Sequence, residues 1–189
     1  MDAEPTTAPV TREQAQRDFL SVYWRCLVVE PDWETFASIV AEDCVVHYPG
    51  NHFLSGDHVG RAAVVELYQN LRALGPEAGT FIGELHDTVH SEDHCCALVK
   101  YRIVVAKGME IEGDAVGVFH LEHGQMTEYW LLERDQKMIN DIINMSGKAL
   151  LAGGGKVDMA RGVLTHPLAL VRTLWRIARV KRGTVKRML

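Results

Sequence analysis

A change of hydrophobic period near the middle of the sequence constrains the fold more than any other feature. Residues 12–74 repeat apolar side chains mainly at helical spacing, whereas residues 80–133 alternate apolar and polar side chains as strands do. The second region contains four runs separated by short turns: TFIGELHDTVH, CCALVKYRIVVA, MEIEGDAVGVFHLE and QMTEYWLLE. Four such strands predict an antiparallel meander that buries one face against the helices, which is an α+β fold.

Capping residues mark where the predicted helices begin. Thr11 precedes the first helix with Gln14 three positions later, as in a capping box, and Asp32 precedes the second. The third helix is predicted over residues 61–74. A short strand, CVVHY, and a loop, PGNHFLSGDHVG, separate the second helix from the third. Asp135 is predicted to cap a short helix after the meander.

The charge is divided unevenly along the 189 residues. Residues 1–144 carry 10 Lys and Arg against 24 Asp and Glu, a net charge of −14, whereas residues 145–189 carry 10 against one, a net charge of +9. An acidic body of this kind argues against nucleic acid as a partner. We therefore predict a flexible N-terminus at 1–10, one globular domain at 11–144, and a glycine-rich connector with a basic amphipathic helix at 145–189.

The end of the chain has one apolar and one basic side if it is helical. The apolar positions are Leu168, Val171, Leu174 (or Trp175) and Ala178, and the basic positions are Arg172, Arg176, Arg179 and Lys181. Such a helix docks on its own domain or on a second subunit. The alternative is contact with a membrane surface or another anionic surface.

Several signals are missing from the sequence. It contains no GxGxxG, no GxxxxGK[ST] and no HExxH, so no cofactor is predicted. There are nine histidines, but His90 and His94 flank a turn without a third ligand, so no metal site is predicted. The four cysteines form no CxxC, and the polar N-terminus lacks the apolar stretch of a signal peptide. These features predict a cytoplasmic protein with reduced thiols.

Two stretches of the sequence resemble the SnoaL-like branch of the nuclear transport factor two-like superfamily. They are VAEDCVVHYPGNHFLSGDHVGRAAVVELYQNL and EYWLLERDQ, and the resemblance covers about residues 15–144. It implies a cystatin-like α+β barrel, in which a cone-shaped, curved antiparallel sheet wraps around three N-terminal helices and a mostly apolar pocket opens at one end. Members include ketosteroid isomerases, polyketide cyclases, epoxide hydrolases, dehydratases and non-catalytic binding or dimerisation modules, so the family does not settle the function.

The catalytic positions of these relatives are replaced in this sequence. By the resemblance, the general-base aspartate of the steroid isomerases falls on Tyr48, and their oxyanion-hole tyrosine falls on Trp24. Their second oxyanion donor falls near Gly117. The aspartate that SnoaL-type cyclases place on the last strand falls on Leu131. Both known mechanisms are therefore disfavoured, because each needs a carboxyl group at its position.

Strand alternation predicts which residues line the pocket. Gly113, Ala115, Gly117 and Phe119 share a face, and the small residues leave room either for a ligand or for closely packed helices. A two-residue turn at 107–108 would point Arg102 into the same cavity, as an anion or carbonyl clamp. A turn longer or shorter by one residue would instead place Tyr101 there.

Other candidates lie on the last strand and around the end of the first. Tyr129, Leu131 and Glu133 are expected to point inward, although Glu133 could instead be exposed and paired with Arg134 or Lys137. Either His47 or Tyr48 must face the cavity, and His47 could act as a base near neutral pH or be a hydrogen-bonded structural residue. Asn51 and His58 are predicted to lie on the rim loop.

Two functional hypotheses follow. The first is a cofactor-independent isomerase, cyclase or hydratase/dehydratase for a small, mostly apolar, oxygenated molecule. Its proton-transfer residues would be His47, Tyr48 and Glu133, and Arg102 or Trp24 would orient the substrate. The second is a binding module without chemistry, which forms a homodimer through the convex face of its sheet at Val116 and Val118 and contacts a partner or an anionic membrane surface with its basic tail.

Overall fold

The structure of the protein is a computed structural model, and it describes residues 11–73, 80–105 and 109–149. The predicted flexible N-terminus at 1–10 and residues 150–189 of the predicted connector and basic helix lie outside the described residues. No helix in the described ranges is long and apolar enough to cross a membrane.

Helices occur where capping and periodicity predict them. Thr11 accepts a hydrogen bond from the Gln14 N–H, and Asp32 accepts one from the Thr35 N–H, so both predicted N-caps are confirmed. The predicted cap Asp135 likewise accepts from the Met138 N–H. The helices are Arg12–Trp24 (α1), which continues as a π-helical segment at Arg25–Val29, Trp33–Ser38 (α2), Arg61–Ala73 (α3) and Gln136–Ala149 (α4). The last helix is longer than predicted, and the predicted domain boundary at residue 144 falls inside it.

In the described residues, six strands form one sheet with the order β2-β1-β6-β5-β4-β3. The strands are Val40–Tyr48 (β1), Gly56–Val59 (β2), Thr80–His90 (β3), His94–Val105 (β4), Met109–Glu122 (β5) and Gln125–Glu133 (β6). Strands β3 to β6 pair antiparallel with their chain neighbours, which confirms the predicted meander. The first strand pairs parallel with β6, so the first and last strands in chain order are neighbours in the sheet.

One segment predicted to be a loop contains a strand. After Tyr48 the chain turns back, and β2 pairs antiparallel with β1 in a register that places Val59 opposite Val45 and Gly56 opposite Tyr48. Gly50 and Gly56 both have a positive φ, which the turn requires and which side chains with a Cβ rarely adopt. The turn residues in PGNHFLSGDHVG hid the short strand, because glycine, asparagine and serine are typical of loops.

The sheet curves around the helices, and we name its two sides the concave face and the convex face. On the concave face, Phe119 of β5 packs against Phe19 and Tyr23 of α1, with ring centroids 5.6 and 5.0 Å apart. Register shifts in β1, in β3 and between β5 and β6 let the strands bend. The fold is therefore the predicted α+β class, with a curved, unclosed sheet and its core between the helices and the concave face.

Candidate active site

Alternation along β5 and β6 brings a carboxyl group into the interior. Ala115 pairs with Glu133, Gly117 with Leu131, and Phe119 with Tyr129, so all six side chains lie on the concave face, as predicted. Tyr129 is buried, and Leu131 packs against the core. The two residues that alternate with Tyr129, Leu131 and Glu133 point to the convex face, where Trp130 is half-buried and Leu132 is exposed.

Glu133 is the titratable group in this interior that is best suited to accept and donate a proton. Its Oε2 atom accepts a hydrogen bond from the Tyr101 hydroxyl over 2.8 Å. Burial raises the pKa of Glu133 to about 6, although the bond from Tyr101 opposes that rise. Both protonation states of the carboxyl group are thus populated near neutral pH, as a general acid or base requires. Glu133 is not paired with Arg134 or Lys137, whose ion pairs are with Asp114 and Asp141.

Tyr48 lies in the same interior. It is buried, and burial together with the charge of Glu133 raises its pKa, so the hydroxyl is protonated. Among the residues that the structure describes, none forms a hydrogen bond with this hydroxyl. A protonated, unpaired phenol near a carboxylate is available to donate a hydrogen bond to a ligand oxygen.

Three further tyrosines form a chain of hydroxyl groups beside Tyr48. The Tyr23 hydroxyl is hydrogen-bonded to that of Tyr68, and an interaction with the Tyr129 hydroxyl also affects the pKa of Tyr23. Burial raises the pKa of all three, so all three are protonated. Three protonated hydroxyls carry three protons, and the Tyr23–Tyr68 hydrogen bond uses one of them.

The glycines of β5 make room for these tyrosines. A Cβ on Gly113 would lie 2.3 Å from the Tyr101 ring, and a Cβ on Gly117 would lie 2.9 Å from the Tyr129 ring. The space that the small residues leave is therefore occupied here by the rings of Tyr101 and Tyr129. This corrects the expectation that Gly113 and Gly117 leave room for a ligand or for helices.

His47 is on the opposite side of the sheet, so its predicted role as the base in the pocket is wrong. Its Nδ1 atom lies 2.8 Å from Asp57 and its Nε2 atom 2.8 Å from Glu128, and its ring stacks on Trp130. Burial lowers the pKa of His47, but hydrogen bonds and charges of the two carboxylates outweigh it and raise the pKa overall. Successive residues of a strand point to opposite faces, and Tyr48 takes the inward position.

Arg102 also lies outside the interior, so the predicted clamp is wrong. Strands β4 and β5 pair Val105 with Met109, which leaves three residues in the connection instead of two. The register therefore pairs Tyr101 with Gly113 and Arg102 with Glu112. Arg102 points to the convex face, where it forms an ion pair with Glu110 at 3.0 Å, and Tyr101 is the inward residue.

Trp24 lines an outer groove rather than the interior. The groove lies between α1 and β3, has a volume of about 540 Å³, and is lined by Trp24 with Leu20, Arg25 and Leu85, among others. One residue on a helix turns the side chain by about 100°, and the neighbour Tyr23 faces the core. The predicted substrate contact at Trp24 is therefore wrong by one position.

The rim loop is tied down on both sides. The Asn51 N–H donates to Asn140 Oδ1 of α4, and Asn144 Nδ2 donates to the Asn51 carbonyl. The Asn51 backbone thus anchors the loop to α4. His58 is not on the loop as predicted, because it lies in β2 and is buried, with Nε2 2.8 Å from the Leu54 carbonyl.

His52 is a candidate that the sequence analysis missed. It is buried beside the Tyr48 ring, at a centroid distance of 5.6 Å. Its Nδ1 atom accepts a hydrogen bond from the Leu54 N–H, so the proton of the neutral ring is on Nε2, which has no partner in the described part of the chain. Burial lowers the pKa of His52 to about 4, so the ring is neutral at pH 7. An unpaired buried donor is unusual and fits a ligand contact.

The candidate site therefore consists of His52, Tyr48, Tyr101 and Glu133, with Tyr23, Tyr68 and Tyr129 beside them. Tyr23 and Tyr68 were missed because their helical spacing predicts core positions, and the only signal was a hydroxyl where leucine or phenylalanine would also fit. Within residues 11–73, 80–105 and 109–149, no group of three or more His, Cys, Asp or Glu side chains is arranged to hold a metal ion.

Comparisons with known proteins agree with this geometry. The model of the SnoaL-like domain matches residues 19–129, more than half of the chain. No curated protein matches the sequence. A protein of unknown function with a cystatin-like fold from Xanthomonas campestris is similar in structure, with 24% identity, 68% of this chain and 97% of that chain covered, and a TM-score of 0.58.

Two other solved structures have more informative descriptions. TerC, co-crystallised with polyporic acid, is 14% identical over 68% of this chain and 98% of its own, with a TM-score of 0.59. A putative isomerase from Rhodopseudomonas palustris is 14% identical over 74% of this chain and 99% of its own, with a TM-score of 0.54. At this identity, the likeness establishes the fold alone.

Proposed function

Because the chain belongs to the SnoaL-like family, we propose that it binds a small, mostly apolar, oxygenated molecule inside the cone and moves a proton on it. The observation that carries this proposal is the buried pair of Tyr101 and Glu133, with a pKa of about 6 at the carboxyl group, among further tyrosine hydroxyls. Ala115 is paired with Glu133 and, like Leu131 and Phe119, belongs to the apolar core on the same face, which suits an apolar ligand.

Glu133 is the proposed proton carrier. In its ionised form it takes a proton from a carbon atom next to a carbonyl group, and the electron pair moves onto the carbonyl oxygen. Return of the proton to another atom gives an isomer. Attack of the carbanion on the carbon of a second carbonyl group closes a ring, and the proton passes from Glu133 to the alkoxide oxygen that forms. Alternatively, the carbanion expels a hydroxyl group from the neighbouring carbon, and the proton from Glu133 converts that group to water. All three reactions fit the predicted isomerase, cyclase or hydratase/dehydratase, and none needs a redox partner.

Hydroxyl groups of the interior stabilise the oxygen anion that forms. Within the described residues the Tyr48 O–H has no hydrogen-bond partner, and Tyr68, Tyr23 and Tyr129 carry more protons than the Tyr23–Tyr68 hydrogen bond uses. A preorganised O–H in a dry interior stabilises developing negative charge more than water does. The Nε2–H of His52 is a further donor beside Tyr48. His47 and Arg102 have no part in this proposal, because both point away from the interior.

Deuterium exchange tests the proton transfer without knowledge of the substrate. Cyclic ketones and 1,3-diketones are incubated with the protein in D₂O, and deuterium at the α-carbon is followed by NMR. We expect the wild-type protein to accelerate exchange for at least one compound, and Glu133→Gln to lower the rate by about 10²–10⁴-fold. Because the ionised carboxylate is the base, the rate should rise with pH through a midpoint of about 6.

A matched control uses a glutamate of the same strand. Glu128 is on the convex face, where it contacts His47. Glu128→Gln should therefore keep the exchange rate and the midpoint of the pH profile. Equal loss in both variants, or exchange that Glu133→Gln leaves intact, would contradict the proposed role of Glu133.

The alternative function is binding without chemistry. It is favoured by the tyrosine rings over Gly113 and Gly117 and by the bond that already engages Tyr101 with Glu133. Polyporic acid is a suitable probe, since its binding is measured by its absorbance. Saturable binding that depends on Tyr48, with no exchange for any compound of the panel, would establish the binding module instead.

The four cysteines are unpaired, and Cys26, Cys44 and Cys95 are buried. Burial raises the pKa of Cys44 and of Cys95 to about 12, which leaves both as inert thiols. Free thiols persist in a reducing compartment, so we place the protein in the cytoplasm as part of the same proposal.

A further inference from the structure

The convex face carries a continuous patch of apolar side chains, which we name the convex block. Strand pairing places its members next to one another in two rows across β4, β5 and β6. The first row is Cys96, Val118 and Trp130, and the second row is Leu98, Val116 and Leu132. In the described part of the chain, the helices pack on the other face, and Leu132 keeps 58% of its surface exposed.

A second apolar face on an antiparallel sheet indicates that something covers it. Antiparallel sheets commonly pack one face and leave the other polar, so alternation would place polar residues where the convex block lies. Contiguous apolar surface of this kind usually marks an interaction site. The chemistry around the block indicates what the occupant is.

Carboxylates surround the convex block. Strand pairing places six carboxylates on the same face: Asp57, Glu84, Glu110, Glu112, Asp114 and Glu128. The cations there are Lys100, Arg102, which pairs with Glu110, and Arg134, which pairs with Asp114, and His47 lies between Asp57 and Glu128. The face is thus apolar at its centre and acidic at its border. A second copy that docked face to face would bring two acidic borders together, which is unfavourable. A basic occupant with an apolar side has the complementary charge.

This chain contains such a segment outside the described residues. Residues 145–189 carry a net charge of +9, and the sequence predicts a helix after Pro167 with apolar and basic sides. The last described helix ends at Ala149, and the 17 residues from 150 to 166 separate it from Pro167. At about 3.3 Å per residue, that connection spans up to about 55 Å, which exceeds the diameter of a domain of this size.

We propose that residues 167–181 of the chain dock on the convex block of the same molecule. Leu168, Val171 and Leu174 would cover the apolar rows, and the arginines at the edges of the helix would reach the bordering carboxylates. The proposal concerns the convex face and is independent of the proton transfer proposed for the interior.

Cys96 provides a built-in probe, because it belongs to the convex block and the other three cysteines are buried. In the full chain, one cysteine is introduced at a time on the apolar side of the predicted helix by Val171→Cys, Leu174→Cys or Ala178→Cys. Thr173→Cys, on the opposite side, is the matched control. Mild oxidation is followed by non-reducing electrophoresis and mass spectrometry.

We expect at least one of the three variants to form a disulfide with Cys96 within the chain, about tenfold faster than Thr173→Cys. The flexible connection alone gives all four cysteines a similar effective concentration near Cys96, and docking raises it for those on the apolar side of the helix. Adding Cys96→Ser should abolish it. Equal rates at all four positions, no disulfide, or disulfides between chains only would overturn the proposal, and the last result would indicate a second copy as the occupant.

A second measurement excludes an anionic membrane as the occupant. Binding to phosphatidylserine vesicles is compared for two double variants of equal charge: Glu112→Lys, Asp114→Lys, which weakens the acidic border, and Glu13→Lys, Asp18→Lys on α1, which leaves the border intact. If the tail docks, the α1 variant should bind the vesicles several-fold more weakly than the border variant. Equal binding would mean that the tail is already free and would overturn the proposal.

Discussion

The two faces of this sheet use titratable residues in opposite ways. On the concave face, Tyr48 and Glu133 have pKa values raised mainly by burial. On the convex face, His47 has a pKa raised by two neighbouring carboxylates against the effect of burial. His47 and Tyr48 are adjacent in sequence and have different environments, because neighbours on a strand point to opposite sides.

The difference teaches where acid–base chemistry is possible. A group whose pKa is set by burial lies in a dry interior, where a proton can pass to a ligand without competition from water. A histidine held between Asp57 and Glu128 has both ring nitrogens engaged, and those partners must be displaced before it can act on a ligand. The concave face is therefore suited to catalysis, and the convex face to association.

The largest effect should come from emptying the concave face. Phe119 is 1% exposed and packs against Phe19, Tyr23 and Tyr129. Phe119→Ala should lower the free energy of unfolding by about 3–5 kcal/mol, from lost burial and the cavity that remains. Urea unfolding followed by circular dichroism measures it. Leu132→Ala, on the convex face, is the control and should cost less than about 1 kcal/mol, and comparable losses would contradict the assignment of the two faces.

The second effect tests how tightly the tyrosines are packed. Gly113→Ala would place a Cβ against the Tyr101 ring, so the ring must shift, which disturbs its hydrogen bond with Glu133. We expect a loss of about 1–3 kcal/mol of stability from overpacking. We also expect a change in the pKa of Glu133, measured by NMR of the labelled carboxyl group. Val116→Ala on the convex face of the same strand is the control and should leave that pKa unchanged.

Sequence predicted the fold well and the site only in part, for physical reasons. Alternation is a local property, so it placed on the correct face Gly113, Ala115, Gly117 and Phe119 of β5 and Tyr129, Leu131 and Glu133 of β6. The choice between Tyr101 and Arg102 depended on the length of one connection, and a difference of one residue reversed the faces of β4. His52 and Tyr23 were missed, because hydrogen-bond partners and burial arise from contacts between residues distant in sequence.

The third effect separates the faces by pH. The pKa of Glu133 is raised in the folded state from 4.5 to about 6, so the unfolded chain releases its proton first and stability falls as pH rises through that range. The loss should be on the order of 1–2 kcal/mol. This pH-dependent loss of stability is measured by urea unfolding between pH 4 and 8, and it should be absent from the Glu133→Gln variant.

The pKa of His47 is also raised in the folded state, so its contribution to stability is complete below pH 6.5 and is lost as pH rises through the folded-state value. His47→Gln should remove this step. Because the His47 side chain is 31% exposed, salt should weaken the step, whereas the Glu133 step should persist. If a single substitution removed both the Glu133 step and the His47 step from the pH dependence of stability, the two faces would not titrate independently.

The smallest effect on stability should come from deleting residues 150–189. The described core lies within residues 11–149 and its buried residues include Ile139, Ile142 and Ile143 of α4, so the shortened chain should fold and lose less than about 2 kcal/mol. The adjacent pair Cys95 and Cys96 then reports on the two faces, because Cys95 is buried on the concave face and Cys96 lies on the convex face. Deletion should speed the reaction of Cys96 with a thiol reagent and leave Cys95 unreactive. A shortened chain that failed to fold would mean that the tail completes the concave core instead, and both cysteines would then react.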